Sequence, residues 1–213
     1  MIVYDFTKDF SEAPKRSHKI DRVTIHSLQG NRTSLQDIRD FFRRRIDSGH
    51  YSSVNYAISY DGEVGMYVDE KHRAWTSSNA GNDDRALTIE CATEAKSPYF
   101  LYVDTYRSLT NLLYEIAIAH GAKSYWIMSQ EDAKKNVVHE DQLGVSLHRY
   151  FADTDCPGEY IMQHLSEIVD AVNVRLRTIY RVQVGAYTVY KNAKKKLEKV
   201  KAAGFSDAYI NES

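Results

Sequence analysis

Three side chains of this sequence have the donor chemistry of a zinc site, although they lie far apart along the chain: His26, His148 and Cys156. Imidazole nitrogen and thiolate sulfur are ligands that zinc prefers, and three protein ligands leave a fourth position for water. Isolated histidines and cysteines are more often ordinary surface or core residues, and the spacing here is not that of a zinc finger. Residue type alone therefore leaves a zinc site and plain structural roles both open.

The local sequence places the three side chains at the ends of predicted elements. His26 ends a β-branched strand predicted at 22–26, and His148 follows a short strand-like segment. Cys156 directly precedes Pro157, which we expect to lie in the first turn of the next helix, where proline is tolerated. Because the start of a helix lowers the pKa of a nearby thiol, we expect Cys156 to form a thiolate readily.

Hydrophobic periodicity predicts alternating strands and helices around these residues. An amphipathic helix is predicted at 34–48, where Ser34 and Asp37 are spaced like an N-terminal cap. The other predictions are a strand, turn and strand over 54–68, a polar loop at 76–85, a strand at 86–92, a helix at 104–120, a polar irregular segment at 129–145 and a helix beginning at Pro157. This mixed order predicts an α/β fold of two or three layers.

The pattern of elements restarts near the C-terminus, so we predict a boundary between domains 1–176 and 177–213. The second domain is predicted to be a β-α-β module with a strand at 180–187, a basic helix at 191–203 and a strand at 205–210. About 35 residues bury little core alone. We therefore expect the module to dock on the first domain or to pair with a second chain, which would give a homodimer. A solvated basic helix that caps the fold is the alternative.

Residues 148–158, from His148 through Cys156 to Pro157 and Gly158, resemble the C-terminal zinc motif of the type 2 N-acetylmuramoyl-L-alanine amidases. That family includes phage endolysins, bacterial autolysins and animal peptidoglycan-recognition proteins. Residues 23–26 are similar to its first-ligand strand, and residues 54–62 are similar to its next strand and turn. The resemblance spans residues from about 20 to 170 in the family's order.

The resemblance implies a mixed central sheet flanked by helices and a role for each matching residue. The implied Zn²⁺ ligands are His26, His148 and Cys156. The implied catalytic residues are Tyr56, which would stabilise the oxyanion or hold the water, Glu90 as general base, and Thr154. Asn82 and Trp75 fall in the segment that borders the family's substrate groove, and Tyr51 is a further candidate for that groove, although packing remains an alternative for the two aromatic residues. Many members have histidine where this chain has Ala57 and Thr76, which puts some substrate contacts in doubt.

By this resemblance the chain would hydrolyse the bond between N-acetylmuramic acid and L-alanine in bacterial peptidoglycan. Two alternatives are a non-catalytic peptidoglycan-binding protein on the same fold and a cytoplasmic amidase that acts on recycled muropeptides. The presence of Cys156 favours an enzyme. Residues 180–187 and 202–205 resemble half of the SPOR module, which binds cell-wall glycan, and a wall-binding tail argues against the recycling role.

Composition limits the remaining possibilities. The 28 basic and 29 acidic residues give a net charge of -1, which offers no argument for a nucleic-acid partner. Cys91 is expected to be a buried thiol and His139 a surface histidine.

We recognise no signal peptide and no membrane-spanning segment. The expected role is a phage or prophage endolysin or a mother-cell lytic enzyme, made in the cytoplasm and reaching the wall after holin-type release or lysis.

Overall fold

Two long apolar strands, β2 (Arg22–Gln29) and β5 (Ala86–Thr93), lie side by side at the centre of the sheet. The structure is a computed structural model and describes residues 2–177 and 182–211. On its other side β2 pairs in parallel with β7 (Gln142–Leu147). β5 pairs with β2 along its whole length and β7 with its first four residues, and most side chains of β2 are buried, as expected for a central parallel strand.

Four shorter strands complete the sheet: β1 (Val3–Asp5), β3 (Tyr56–Ile58), β4 (Val64–Met66) and β6 (Ser124–Ile127). The order across the sheet is β1-β4-β3-β5-β2-β7-β6. Strands β3, β5, β2, β7 and β6 are parallel to one another, whereas β4 runs antiparallel to β3. The carboxyl ends of five strands therefore meet at one edge of the sheet, where α/β folds commonly place their sites.

Helices cover both faces of this sheet. Helices α3 (Val103–Ala119) and α5 (Glu159–Leu176) pack on one face, where they bury the larger apolar cluster, and α1 (Leu35–Asp47) packs on the other face over a second cluster. The prediction of an α/β fold with a mixed sheet flanked by helices is confirmed.

Helix α1 follows its sequence pattern closely. It begins after Ser34, whose side chain accepts from the Asp37 N–H while the Asp37 carboxylate accepts from the Ser34 N–H. The four apolar residues at helical spacing are all buried: Leu35, Ile38, Phe42 and Ile46. The predicted strand pair at 54–68 is also present, although its paired residues are fewer, at β3 and β4.

Two segments that were predicted to be irregular contain short elements. Helix α2 (Ala80–Asp83) lies within the polar loop and is capped by Asn79. The polar segment at 129–145 contains α4 (Gln130–Lys135), capped by Ser129, and the first part of β7. These predictions were wrong because a helix of one turn or slightly more is too short to show an apolar period, so its cap residues are the main signal.

The start of α5 also differs from the prediction. Pro157 lies before the helix rather than in its first turn, because Gly158 is the N-cap and α5 begins at Glu159. Gly158 has φ of +90°, a conformation that side chains disfavour. A Cβ at this position would lie 2.9 Å from the Tyr99 side chain, so glycine is required both by the backbone and by its neighbour.

The C-terminal residues form a unit of their own. The chain divides into two compact units, Met1–Arg177 and Thr178–Ser213, and α6 (Tyr190–Ala202) is the regular element described in the second. The predicted β-α-β module is wrong for the described residues, since 182–189 and 203–211 contain no strand; Tyr180 and Arg181 lie outside them. A strand requires a hydrogen-bonded partner, and these residues have none within the described part of the chain.

Among the helices that the structure describes, none combines the length and the hydropathy needed to cross a membrane.

Candidate metal centre and active site

The register of two neighbouring strands places the two candidate histidines together. The last residue pair between β2 and β7 joins Ile25 to Leu147, so the next residues along the chain are His26 and His148. Their ring centroids lie 4.5 Å apart. His26 has no exposed surface, and His148 lies in a short 3-10 helix at the carboxyl end of β7. Two imidazoles from distant parts of the sequence thus share one buried location.

Cys156 reaches the same location through a short closed loop. The Arg149 N–H donates to the Cys156 carbonyl at 3.2 Å, which returns the chain to the end of β7. The Cys156 N–H donates to the Thr154 hydroxyl at 3.2 Å, and the Ser27 N–H donates to the Cys156 sulfur, also at 3.2 Å. The ligand atoms of His26, His148 and Cys156 all lie within 4.8 Å of one another.

The polar atoms of this cluster test whether it fits a zinc ion. Both ring nitrogens of His26 and Nε2 of His148 are buried and have no hydrogen-bond partner within the described residues. Buried donors and acceptors without partners are costly, so their presence calls for a ligand. Two imidazoles and one thiolate are a donor set that zinc accepts while it keeps a fourth position open. The residues present therefore fit the metal that the sequence implies.

Burial sets the protonation states of these groups. Desolvation, together with the neighbouring His148, lowers the pKa of His26 well below its ordinary value, and desolvation also lowers the pKa of His148. Both rings are neutral at pH 7, as metal ligands must be. Burial raises the pKa of the Cys156 thiol to about 12. The expected lowering by a helix start is wrong, because α5 begins only at Glu159 and desolvation dominates.

Glu90 lies beside the cluster on the neighbouring strand. It pairs in register with His26, so both side chains project from the same face of the sheet. Its Oε1 lies 4.0 Å from His26 Nδ1, and its Oε2 is buried without a hydrogen-bond partner in the described chain. Burial raises the pKa of Glu90 to about 8. This carboxyl group can therefore exchange a proton near neutral pH.

Tyr56 lies on the opposite face, so the role implied for it is wrong. It pairs with Ile89, whereas the next residue of β3, Ala57, pairs with Glu90. Because side chains alternate along a strand, Tyr56 projects into the apolar layer beneath α3. Its hydroxyl donates to Glu70 Oε1 at 2.7 Å. A tyrosine held there cannot donate to an oxyanion beside His26.

Two other predicted residues lie close to the site but hold its framework. The Thr154 hydroxyl accepts from the Cys156 backbone, as described above. Asn82 was expected to contact substrate, but it is only 2% exposed and its amide donates to Thr24 and Ser77. Asn82 therefore ties α2 to the central strand β2, and its Oδ1 is buried without a hydrogen-bond partner among the described residues.

The two predicted aromatic residues form an open cleft. The rings of Tyr51 and Trp75 lie 5.0 Å apart, and they line a cleft of about 230 Å³ together with Arg45. The adjacent Thr76 hydroxyl donates to the Thr88 hydroxyl at 2.9 Å. Thr88 lies on β5 two residues before Glu90 and on the same face of the sheet, so this hydrogen bond connects the edge of the cleft to the strand that carries Glu90.

Neither of the remaining candidates, His139 and Cys91, belongs to the cluster, and two residues beside the site were not predicted from the sequence. His139 is exposed and stacks on Trp126, with centroids 4.1 Å apart, and Cys91 is fully buried. The missed residues are Arg45 in the cleft and Ser27 beside Cys156. The contact of Ser27 with the Cys156 sulfur is made by its backbone N–H, which carries no sequence signal, and Arg45 is one of three successive arginines in α1.

Comparison with known families decides the identity. The profile of the N-acetylmuramoyl-L-alanine amidase family matches residues 16–159, more than half of the chain, and this range includes all three clustered candidate ligands. The chain is a member of the N-acetylmuramoyl-L-alanine amidase family. It is therefore an amide-hydrolysing enzyme, and peptidoglycan amidase activity follows from its family. No curated protein sequence matches it.

Solved structures share the fold of this amidase at low identity. The Staphylococcus aureus hydrolase AmiA, solved with its ligand, has 12% identity and a TM-score of 0.61, and the match covers 83% of each chain. The Ph2119 endolysin, from a Thermus scotoductus bacteriophage, has 14% identity and a TM-score of 0.57 over 80% of this chain and 99% of its own. The amidase LysC from Clostridium intestinale has 15% identity and a TM-score of 0.53 over 80% and 98%.

The raised pKa of Glu90 predicts how pH affects the metal-free amidase. The folded state holds a proton on Glu90 between about pH 4.5 and pH 8, where the unfolded state does not, so stability falls as pH rises through that window. The slope for one proton is at most about 1.4 kcal/mol per pH unit. Glu90→Gln should remove this dependence of stability on pH, and its melting temperature near pH 8 should be higher than that of the wild type.

Calorimetry of the full chain with a chelator, across this pH range, measures the effect. Glu94→Gln, at an exposed position just beyond β5, is the matched control and should follow the wild-type curve. Parallel melting curves for the wild type and Glu90→Gln would contradict the account of Glu90.

Proposed function

We propose that this amidase is zinc-dependent and hydrolyses the amide between N-acetylmuramic acid and L-alanine of the peptidoglycan stem peptide. The observation that carries the proposal is the approach of His26, His148 and Cys156 within 4.8 Å at the carboxyl edge of the sheet. Family membership supplies the reaction class, and this cluster supplies a place where an unreactive amide can be activated.

The ligand set suits this chemistry. His26 and His148 would each give one neutral imidazole nitrogen, and Cys156 would give a thiolate after losing its proton. Bound zinc makes a coordinated water acidic and polarises a carbonyl oxygen, which together activate an amide for hydrolysis. Because the thiol pKa is about 12 in the metal-free protein, loading the metal must release a proton from Cys156.

Glu90 is the residue that we propose for proton transfer. An attacking water must lose a proton, and the departing amine of L-alanine must gain one. A carboxyl group with a pKa of about 8 accepts and returns a proton with little energetic cost near neutral pH. Its side chain is 12% exposed, so it is buried enough to keep the raised pKa and open enough to face a ligand.

The cleft beside the cluster is the proposed substrate-binding surface. The flat faces of Tyr51 and Trp75 suit a sugar ring or the apolar part of a peptide. Arg45 lines the same cleft and would attract the carboxylates that stem peptides carry. Asn82 and Thr154 contribute indirectly, the first by a hydrogen bond to Ser77 in the loop that follows Trp75 and the second by fixing the Cys156 backbone.

The likeness in fold to a bacteriophage endolysin supports the role of a phage or prophage lysin, which would meet the wall when the cell lyses. A mother-cell lytic enzyme uses the same chemistry.

For the C-terminal unit we propose wall binding through pairing with a second copy, since its apolar side chains include Val182, 87% exposed, and Tyr209, 69% exposed. Sedimentation of the full chain as a monomer alone would contradict the pairing.

Product analysis tests the reaction and the metal together. The full chain, incubated with purified peptidoglycan, should release stem peptides that begin at L-alanine and leave intact glycan strands, as seen by mass spectrometry. A chelator should abolish release and zinc should restore it. His148→Ala should be inactive, whereas His139→Ala, which removes an exposed histidine, is the matched control and should be active.

Binding of the wall without any release of peptide would contradict the proposal and favour a non-catalytic peptidoglycan-binding protein. Release of peptide that continues in the presence of the chelator would contradict the proposed metal dependence and leave the assigned bond unaffected. Cleavage within the stem peptide or the glycan would leave the metal site standing and overturn the assigned bond.

Two conservative variants compare the roles of Glu90 and Tyr56, which lie on opposite faces of the sheet. Glu90→Gln keeps the shape of the side chain but removes its proton transfer, so kcat should fall by about 10²–10⁴-fold. Tyr56→Phe removes only the hydrogen bond to Glu70 on the other face and should leave kcat unchanged, at a stability cost of about 1–2 kcal/mol. Steady-state kinetics on soluble wall fragments measures both, and a large loss in Tyr56→Phe would show that the tyrosine acts in catalysis.

A further inference from the structure

The hydrogen-bond ladder between β2 and β7 stops inside the site. Its last residue pair is Ile25 with Leu147, whereas β2 continues to Gln29 with β5 as its partner. After Leu147 the chain turns away into the 3-10 helix that begins at His148. The backbone of β2 beyond Ile25 therefore loses its strand partner on the β7 side.

The sulfur of Cys156 takes the place of that missing partner. The Ser27 N–H donates to Cys156 Sγ at 3.2 Å, a normal length for a hydrogen bond to sulfur. Ser27 directly follows His26, so this hydrogen bond connects the strand that carries the first candidate ligand with the loop that carries the third. The position of Sγ relative to the His26 ring is thereby fixed by the backbone of β2.

The side chain of Ser27 adds a second polar group at the same place. Ser27 is 8% exposed, and its hydroxyl oxygen is buried without a hydrogen-bond partner in the described residues. A buried hydroxyl is costly unless it is hydrogen-bonded. A thiolate accepts more than one hydrogen bond, and hydrogen bonds to a charged acceptor are stronger than those between neutral groups.

We infer that Ser27 is a positioning residue that holds the Cys156 sulfur in place as a metal ligand, through its backbone N–H and its hydroxyl. This inference rests on the proposed metal site and names the residue that organises it. In this role Ser27 acts through Cys156 and would contact neither substrate nor metal. Groups that orient a metal ligand from outside the coordination shell commonly change metal affinity by about 10–100-fold when they are removed.

Cobalt(II) is a suitable probe, because a cobalt–thiolate bond gives a charge-transfer absorption band in the near ultraviolet. The full chain, stripped of metal and titrated with Co²⁺, should show this band, and competition with a chelator should give the affinity. Ser27→Ala should bind Co²⁺ about 10–100-fold more weakly and shift the thiolate band. Ser27→Thr, which keeps a hydroxyl, should stay close to the wild type.

A matched control separates this role from general stability. Ser59→Ala also removes a buried serine hydroxyl, but one that donates to Asp61 in the turn between β3 and β4, so Co²⁺ affinity should not change. If Ser27→Ala fails to fold, the nearly isosteric pair Ser27→Thr and Ser27→Val decides, because the two variants differ chiefly in the hydroxyl.

The outcomes distinguish this inference from the proposed function. A thiolate band in the wild type with unchanged affinity and band position in Ser27→Ala, or in Ser27→Val relative to Ser27→Thr, would overturn the role of Ser27 and leave the metal site standing. A wild-type protein that binds Co²⁺ without a thiolate band would overturn Cys156 as a ligand, and the inference with it.

Discussion

The register of β2 between its two parallel neighbours is the constraint on which the site depends. Pairing with β5 sets Glu90 beside His26, and pairing with β7 brings His148 to the same point. A shift of one residue in either ladder would turn His26 or its partner to the opposite face of the sheet. The buried apolar residues Val23 and Ile25 oppose that shift, because it would move them from the apolar cluster beneath α3 and α5 to the face that carries the polar Thr24 and His26.

Burial creates a conflict that a bound metal ion would resolve. The imidazoles and the thiol lie where water is largely excluded, and both His26 nitrogens and His148 Nε2 have no hydrogen-bond partner among the described residues. The same desolvation keeps the histidines neutral, raises the pKa of Glu90 and keeps the metal-free thiol protonated. A divalent cation would favour the thiolate and use the free nitrogens, so the metal-free arrangement has the polarity of a binding site rather than of a core.

The sequence predicted the fold class because strong local patterns were present: the β-branched run of β2 and the capped, amphipathic α1. It also singled out His26, His148 and Cys156, through their residue types and the family motif. The sequence did not predict the features that depend on tertiary structure. The face on which Tyr56 lies is decided by pairing with Ile89, and the pKa of Cys156 is decided by burial. The predicted C-terminal strands have the alternating pattern of strands but lack a partner in the described chain.

X-ray absorption at the zinc edge, on the full chain loaded with one equivalent of zinc, tests the central claim most directly. We predict one sulfur neighbour at about 2.3 Å and two imidazole nitrogens at about 2.0–2.1 Å, with one further light atom as the fourth ligand. Cys156→Ser should remove the sulfur signal. A zinc shell of nitrogen and oxygen alone in the wild type would contradict the assignment of His26, His148 and Cys156 as the metal centre.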